Sequence, residues 1–179
     1  MNDKVQALKK GRVVPALDTP TDLSAEAVRA LSEALNAILA DTLALYVKTK
    51  NFHWHISGPH FRSYHLLLDE QSQQILATVD ELAERVRKIG GTTVRSIGHI
   101  AKLKRLHDND EDFVSPLDML SELMADNKAT IRTMREAHKL ADKHEDVATA
   151  SLLEQYIDGA EKRTWFLFEA SRGADRSGH

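Results

Sequence analysis

Two pairs of side chains between residues 65 and 84 have the types and the spacing of metal ligands. His65 and Asp69 stand four residues apart, and so do Asp80 and Glu84. In a helix, residues four apart project from the same face, so each pair can approach a single ion. Imidazole and carboxylate ligands together suit a first-row transition metal such as iron or manganese.

A further candidate ligand, His53, lies before a Gly-Pro break at 58–59. It precedes the break by about as many residues as His65 follows it. If the chain reverses at the break, the two imidazoles face each other at one height, near Asp69.

The pair formed by Asp80 and Glu84 is too far along a helix to join the other three ligands. His65 and Glu84 are 19 residues apart, which is about 28 Å at a rise of about 1.5 Å per residue. Asp69 and Asp80 are still about 16 Å apart, whereas metal–ligand bonds are only about 2 Å long. Either the chain carries two half-sites that are poor in ligands, or a second copy supplies the missing half across a two-fold axis with antiparallel helices.

A solvated helix face is the alternative interpretation of these polar residues. An apolar stripe runs beside these polar residues and argues against a solvated face. The members of the stripe are Tyr64, Leu68, Ile75, Val79, Leu82, Val86 and Ile89.

The same segment resembles the signature of the Dps (DNA-protection-during-starvation) proteins, which are miniferritins. The resemblance covers roughly residues 24 to 171 and includes the stretches at 115–118 and 165–168. The Glu-x-x-His motif of ferritins and bacterioferritins is absent. The central positions that carry the resemblance are His53-Trp54, Gly58, Phe61, His65, Asp69, Asp80, Ala83-Glu84-Arg85 and Gly90-Gly91.

The resemblance implies a ferroxidase centre shared by two subunits. Its ligands would be His53, His65 and Asp69 of one subunit with Asp80 and Glu84 of the partner subunit. This site would bind iron, with room for two ions, and would oxidise Fe(II) with hydrogen peroxide in preference to oxygen. The protein would form a hollow homo-dodecamer that stores the ferric mineral and protects DNA from oxidative damage.

Trp54 is expected near this iron site, although a core aromatic is the alternative. Two other functions remain open: a DNA-condensing nucleoid cage whose metal site is mainly structural, and a manganese- or zinc-loaded cage without oxidase turnover.

Few prolines and glycines interrupt the chain, four and eight respectively, which predicts long helices. We expect helices from about Ser24 into the His53 motif, from Pro59 to Gly90-Gly91, after a Ser115-Pro116 cap, and over 152–167 with an Asp146 cap. The connection over 92–114 exceeds ordinary loop length, and a short helix is expected at 97–106. The order predicts an all-α, ferritin-like four-helix bundle with a long crossover between helices two and three. We assign residues 23–171 to the bundle, 1–22 to a flexible basic tail and 172–179 to a short C-terminal tail.

Composition narrows the class of protein. The chain has 179 residues, no cysteine and a formal net charge of −3, which fits one domain without disulfides, iron–sulfur clusters or thiolate zinc sites. Neither a secretory signal nor a membrane span of about 18 apolar residues is recognisable. We therefore predict a soluble cytoplasmic protein.

Two charged groups are candidates for further roles. The whole chain has no overall attraction for nucleic acid, but the tail carries candidate DNA contacts that would associate it with the nucleoid: Lys4, Lys9, Lys10 and Arg12. On the third long helix, family members line an iron-entry pore with carboxylates. The matching ladder here, for which a solvated face is the alternative, is Asp118, Glu122 and Asp126.

Overall fold

The computed structural model describes residues 17–172, in which there are five helices and no strand. The helices are α1 (Ala25–His55), α2 (Phe61–Lys88), α3 (Ile97–Leu103), α4 (Pro116–Lys143) and α5 (Val147–Ser171). The four long helices form a bundle in which α1 packs on α2 and on α4, α4 packs on α5, and α2 makes a smaller contact with α5. The short helix α3 lies in the crossover and packs on α1. The predicted ferritin-like bundle with a helix in its crossover is confirmed.

Side chains of three residues cap the first turns of the helices. The Ala27 amide donates to Ser24 Oγ at the start of α1 (3.2 Å). The amide of Asp118 donates to Ser115 Oγ at the start of α4 (3.3 Å), where Pro116 occupies the first turn. Asp146 receives the amide of Thr149 at the start of α5 (3.1 Å). Both caps predicted for the last two helices are confirmed.

Three helix ends differ from the expected positions. Helix α2 begins at Phe61 rather than at Pro59, because Gly58 takes a φ of +93° and its carbonyl closes a turn onto the Phe61 amide (3.0 Å). Helix α3 ends at Leu103 rather than at 106, because the amides of Arg105 and Leu106 donate to the buried Asp41 carboxylate.

Helix α5 begins at Val147, directly after its Asp146 cap and five residues before the predicted start at 152. Its first turn, Val147-Ala148-Thr149-Ala150, contains no large buried side chain and lacks the apolar periodicity that marked the start in the sequence.

The apolar stripe of α2 faces the interior of its own subunit. Five of its seven members are at most 2 % exposed and belong to the bundle core: Leu68, Ile75, Leu82, Val86 and Ile89. The stripe is therefore explained within one chain, so it does not argue against a solvated face for the polar residues beside it.

By length and composition alone, α1 is the one helix of residues 17–172 that could cross a membrane. Half of its most apolar window is buried inside the subunit, and residues such as Leu35 and Leu39 are fully buried. These features are those of a core helix. The candidate DNA contacts of the tail (Lys4, Lys9, Lys10 and Arg12) lie outside the described residues.

Candidate metal centre

His53 and His65 meet where the end of α1 crosses the start of α2. Their rings stack with centroids 3.8 Å apart and an interplanar angle of 24°, and the ring centroid of Phe61 lies 5.0 Å from that of His65. The chain reversal at 58–59 thus brings the two imidazoles to one height, as the spacing predicted.

Both rings are held by the backbone of the opposite helix. His53 Nδ1 lies 2.8 Å from the carbonyl oxygen of His65, and His65 Nδ1 lies 2.9 Å from the carbonyl oxygen of His53. A carbonyl oxygen can only accept, so each Nδ1 must carry the proton and donate it. In the neutral ring, Nε2 then keeps its lone pair. This arrangement, in which one ring nitrogen donates to a carbonyl, is the one that orients histidines for binding metal.

We refer to the predicted ligands His53, His65 and Asp69 together as the half-site. Asp69 Oδ1 lies 3.9 Å from His53 Nε2. Two ligands of one metal are separated by at most about 4 Å, since each bond is about 2 Å long. The distance is therefore compatible with a shared ion.

The ammonium group of Lys50 forms an ion pair with the Asp69 carboxylate. Its Nζ donates to Asp69 Oδ1 at 2.9 Å, and Gln73 donates to Oδ2 at 3.0 Å. The hydrogen bond from Lys50 and the nearby positive charge hold the pKa of Asp69 below its usual value. The carboxylate is consequently ionised at neutral pH, but an entering cation has to compete with the ammonium group.

Asp80 and Glu84 lie on the same uninterrupted helix as Asp69 and are solvent-exposed. Glu84 makes an i,i+4 ion pair with Lys88 (3.1 Å). About 16 Å of helix still separates Asp80 from Asp69. Among the described residues 17–172, no three His, Asp or Glu side chains form a ready metal-binding group, so one subunit presents two incomplete halves.

Trp54 stands beside the half-site on the surface. Its side chain is 63 % exposed, and Lys50 Nζ lies 5.9 Å from the ring centroid. A core role for this tryptophan is therefore excluded within one subunit.

The acidic ladder on α4 is partly neutralised within the subunit. Lys48 Nζ pairs with Glu122 and with Asp126, both at 2.7 Å, while Asp118 accepts from Ser115 at the helix start. Burial opposes the charge on Lys48, yet its hydrogen bonds to the two carboxylates outweigh that effect and raise its pKa. Two of the three carboxylates thus turn towards α1, and the pore assignment stays a prediction.

Sequence reasoning did not single out Lys50. The available signal was its position three residues before His53, on the same helix face.

Comparisons with known proteins identify the family. Residues 32–172 match the family model of the ferritin-like domain. The DNA protection during starvation protein of Brevibacillus brevis is 32 % identical over 136 residues, which cover 74 % of this chain and 89 % of that protein.

Solved structures give the same result. DpsC from Streptomyces coelicolor superposes with a TM-score of 0.86 at 27 % identity, covering 92 % of this chain and 94 % of its own. A Dps protein from Vibrio cholerae O1, described as a member of a superfamily of ferritin-like diiron-carboxylate proteins, superposes with a TM-score of 0.81 at 25 % identity, covering 87 % and 98 %.

Proposed function

The chain belongs to the Dps family of ferritin-like proteins, and from this premise we propose that it oxidises Fe(II) at centres shared between two subunits. Hydrogen peroxide is the preferred oxidant, and the ferric product is stored inside a dodecameric cage. The observation that carries the proposal is the half-site of His53, His65 and Asp69, with both Nε2 atoms free and aligned by backbone carbonyls.

The register of α2 supports a second subunit as the source of the missing ligands. Asp80 and Glu84 stand at the mirror positions of Asp69 and His65 about a point between residues 74 and 75. A two-fold axis through that point, perpendicular to α2, would set Asp69 opposite Asp80 of the partner subunit. It would also set His65 opposite Glu84 of the partner subunit, and the symmetry would repeat the site.

The direction of the side chains fits the same arrangement. At about 100° per residue, Asp69 and Asp80 lie about 20° apart around the helix, and both point away from the subunit core. Between them, α2 presents Gln73, Leu76 and Ala77, which are exposed. A partner helix can therefore approach along this face.

The ligand set suits the reaction. Carboxylates favour ferric over ferrous iron, and imidazoles bind the incoming ferrous ion. Five protein ligands for two ions leave positions open for the oxidant. Each of two ferrous ions gives up one electron, while one peroxide takes both electrons and two protons, its O–O bond breaks, and two waters leave.

Consumption of Fe(II) together with peroxide removes the reagents that generate hydroxyl radicals. This chemistry would protect DNA without contact. We place the protein in the cytoplasm, where such protection is needed.

Exchange of subunits between two inactive variants tests the shared site. His53→Ala and Glu84→Ala should each abolish fast oxidation after anaerobic Fe(II) loading and peroxide addition, followed by ferric absorbance. A mixed dimer carries both lesions in one site and none in the other. Random pairing should therefore restore about a quarter of the wild-type sites.

Glu70→Ala, which removes an exposed carboxylate of the same helix, is the matched control and should oxidise iron as the wild type does. If mass-tagged mixed dimers form and no activity returns, each subunit works alone and the shared centre is refuted. If metal binds at full stoichiometry but is not oxidised, a structural metal site, or a manganese or zinc cage, is the better interpretation.

A further inference from the structure

Five exposed basic side chains form a ridge along the second half of α4. They recur every three or four residues, so at about 100° per residue they fall within an arc of about 80° on the helix surface. The ridge extends over about 22 Å of the helix axis. We call these residues the basic ridge, and its members are Lys128, Arg132, Arg135, Lys139 and Lys143.

Few acidic groups offset the charge of the basic ridge. Between Lys128 and Lys143, the exposed carboxylates of α4 are those of Glu136 and Asp142. Asp142 is already engaged, because its Oδ2 lies 3.2 Å from His138 Nδ1. Five basic residues less two acidic ones give this part of the surface a net charge of +3.

Ion pairs within the subunit explain one member of the basic ridge. Arg135 pairs with Glu161 of α5. In the part of the chain that the structure describes, no carboxylate forms an ion pair with any of the other four members. Their charges are therefore available to a partner.

The helix dipole does not account for the ridge either. Cations stabilise a helix at its C-terminal end, but the effect falls off within the last turn. Lys143 lies in that turn of α4, whereas Lys128 and Arg132 precede it by 15 and 11 residues. The local stability of α4 thus gives no reason for their charge.

The form of the basic ridge suits the phosphates of a nucleic acid duplex. Phosphates of one strand follow one another about every 3.4 Å along the duplex axis, so a ridge of about 22 Å can face about six of them. The exposed side chains between Lys128 and Lys143 are all charged. Lysine and arginine in such a row contact phosphate oxygens, which carry no sequence information.

A lipid surface is a less suitable partner. Helices that lie on membranes combine their cations with an exposed apolar face. No large apolar side chain of α4 is exposed between Lys128 and Lys143. The ridge therefore favours a phosphodiester chain over a membrane.

We propose that the basic ridge of α4 is a contact site for duplex DNA on the folded body of the subunit, additional to the candidate contacts of the tail. It binds consecutive phosphates without regard to base sequence. A net charge of +3 on one subunit attracts DNA only weakly, so ridges and tails repeated over the assembled protein act together through avidity. The site is separate from the metal centre, and the inference does not depend on iron oxidation.

Neutralisation of the ridge in the full-length protein tests this contact. The variant carries Lys128→Gln, Arg132→Gln, Lys139→Gln and Lys143→Gln, and it keeps Arg135 because of the ion pair with Glu161. Fluorescence anisotropy with a short duplex of mixed sequence gives Kd over a series of salt concentrations. At low salt, Kd should rise by about ten-fold or more, and the slope of log Kd against log salt should fall by about 3.6 for each ridge in contact, which is about 0.9 for each of four lost phosphate contacts.

A control variant with the same change in net charge distinguishes the ridge from the charge of the whole chain. It should keep the wild-type Kd and salt slope, and both variants should retain the wild-type mass in solution and the wild-type rate of iron oxidation. The control replaces four exposed cations of other segments by glutamine: Arg29, Arg95, Lys102 and Lys162.

Four results would overturn the proposal. The first is a wild type that does not bind DNA at low salt, and the second is equal binding, or equally weakened binding, in the ridge and control variants. The third is loss of the assembly in the ridge variant, which would place the ridge at a contact between subunits. The fourth is unchanged DNA binding in the ridge variant together with lost binding to phosphatidylglycerol vesicles, which would assign the ridge to a membrane.

Discussion

The tautomers of the two histidines and the ion pair of Asp69 determine how readily the half-site accepts a metal ion. The carbonyl groups of His53 and His65 fix the tautomer of each other's ring, so no change of tautomer is needed on binding. Asp69 differs, because its carboxylate is engaged by Lys50. Binding at this residue is therefore an exchange of one cation for another.

Replacement of Lys50 by methionine should strengthen Fe(II) binding. The variant keeps the length of the side chain and removes the competing ammonium group. Since the pair is only partly buried, solvent weakens its attraction, and the gain should be small, on the order of two- to five-fold in Kd. Anaerobic calorimetric titration measures it, with Lys128→Met on α4 as the control. Unchanged or weaker binding in Lys50→Met would contradict the exchange of cations.

At the residue scale, the sequence predicted the types of the ligands and their spacing but not the state of each. The histidines and carboxylates were recognisable because helical periodicity alone puts i,i+4 pairs on one face. The tautomers and the pairing of Lys50 with Asp69 depend on how α1 crosses α2. That crossing angle is set by packing and leaves no local pattern.

The long helices were predictable as elements, and their ends less so. Ser115 and Asp146 predict where their helices begin, because an N-cap is a local hydrogen bond. The early end of α3 has a non-local cause, since Asp41 accepts from the backbone of Arg105 and Leu106, 64 and 65 residues away. The requirement for glycine at position 91 is also non-local, because a Cβ there would lie 2.0 Å from Ser32 Oγ on α1.

Asp41→Asn should loosen the crossover while leaving the bundle intact. Asp41 is 1 % exposed and accepts two backbone amides as well as Arg105 Nε (2.8 Å). Loss of its charge should weaken the anchor by about 1.5–3 kcal/mol. Hydrogen exchange should then accelerate over residues 92–114 and remain slow in α4 and α5.

Arg105→Ala is the matched variant for this anchor, because it keeps both backbone bonds to Asp41. A smaller acceleration is expected for it. Equal protection of the crossover in Asp41→Asn and the wild type would show that the anchor is dispensable.

At the scale of the whole molecule, a variant that cannot form dimers should also lose fast Fe(II) oxidation. Ala77 lies on the exposed face of α2, close to the proposed two-fold axis. Ala77→Arg would set two like charges against each other at that axis, so it should abolish dimers and fast Fe(II) oxidation at once. Light scattering coupled to size exclusion gives the mass, to be compared with 20.1 kDa for one subunit.

Ala148→Arg, at the exposed start of α5, is the control and should keep both the large assembly and the activity. An active 20.1 kDa monomer of Ala77→Arg would eliminate the shared centre.

Direct DNA binding is also expected of the assembled cage rather than of one subunit, because one subunit has little electrostatic attraction for DNA. The first 17 residues carry +3, from four basic residues less Asp3, so the rest of the chain sums to −6 within a total of −3. Tails repeated over a cage can still bind a polyanion by avidity, with an affinity that falls steeply as salt rises.

Removal of the tail charges tests this prediction. Deletion of residues 2–12, or glutamine in place of Lys4, Lys9, Lys10 and Arg12, should abolish retardation of plasmid DNA at low salt and leave ferroxidase rates unchanged. The glutamine variant distinguishes the effect of charge from the effect of tail length, because it removes the charges without shortening the tail. Retardation that survives both changes, or that never occurs with the intact protein at low salt, would rule out binding through the tail. Protection of DNA would then rest on the consumption of iron and peroxide alone.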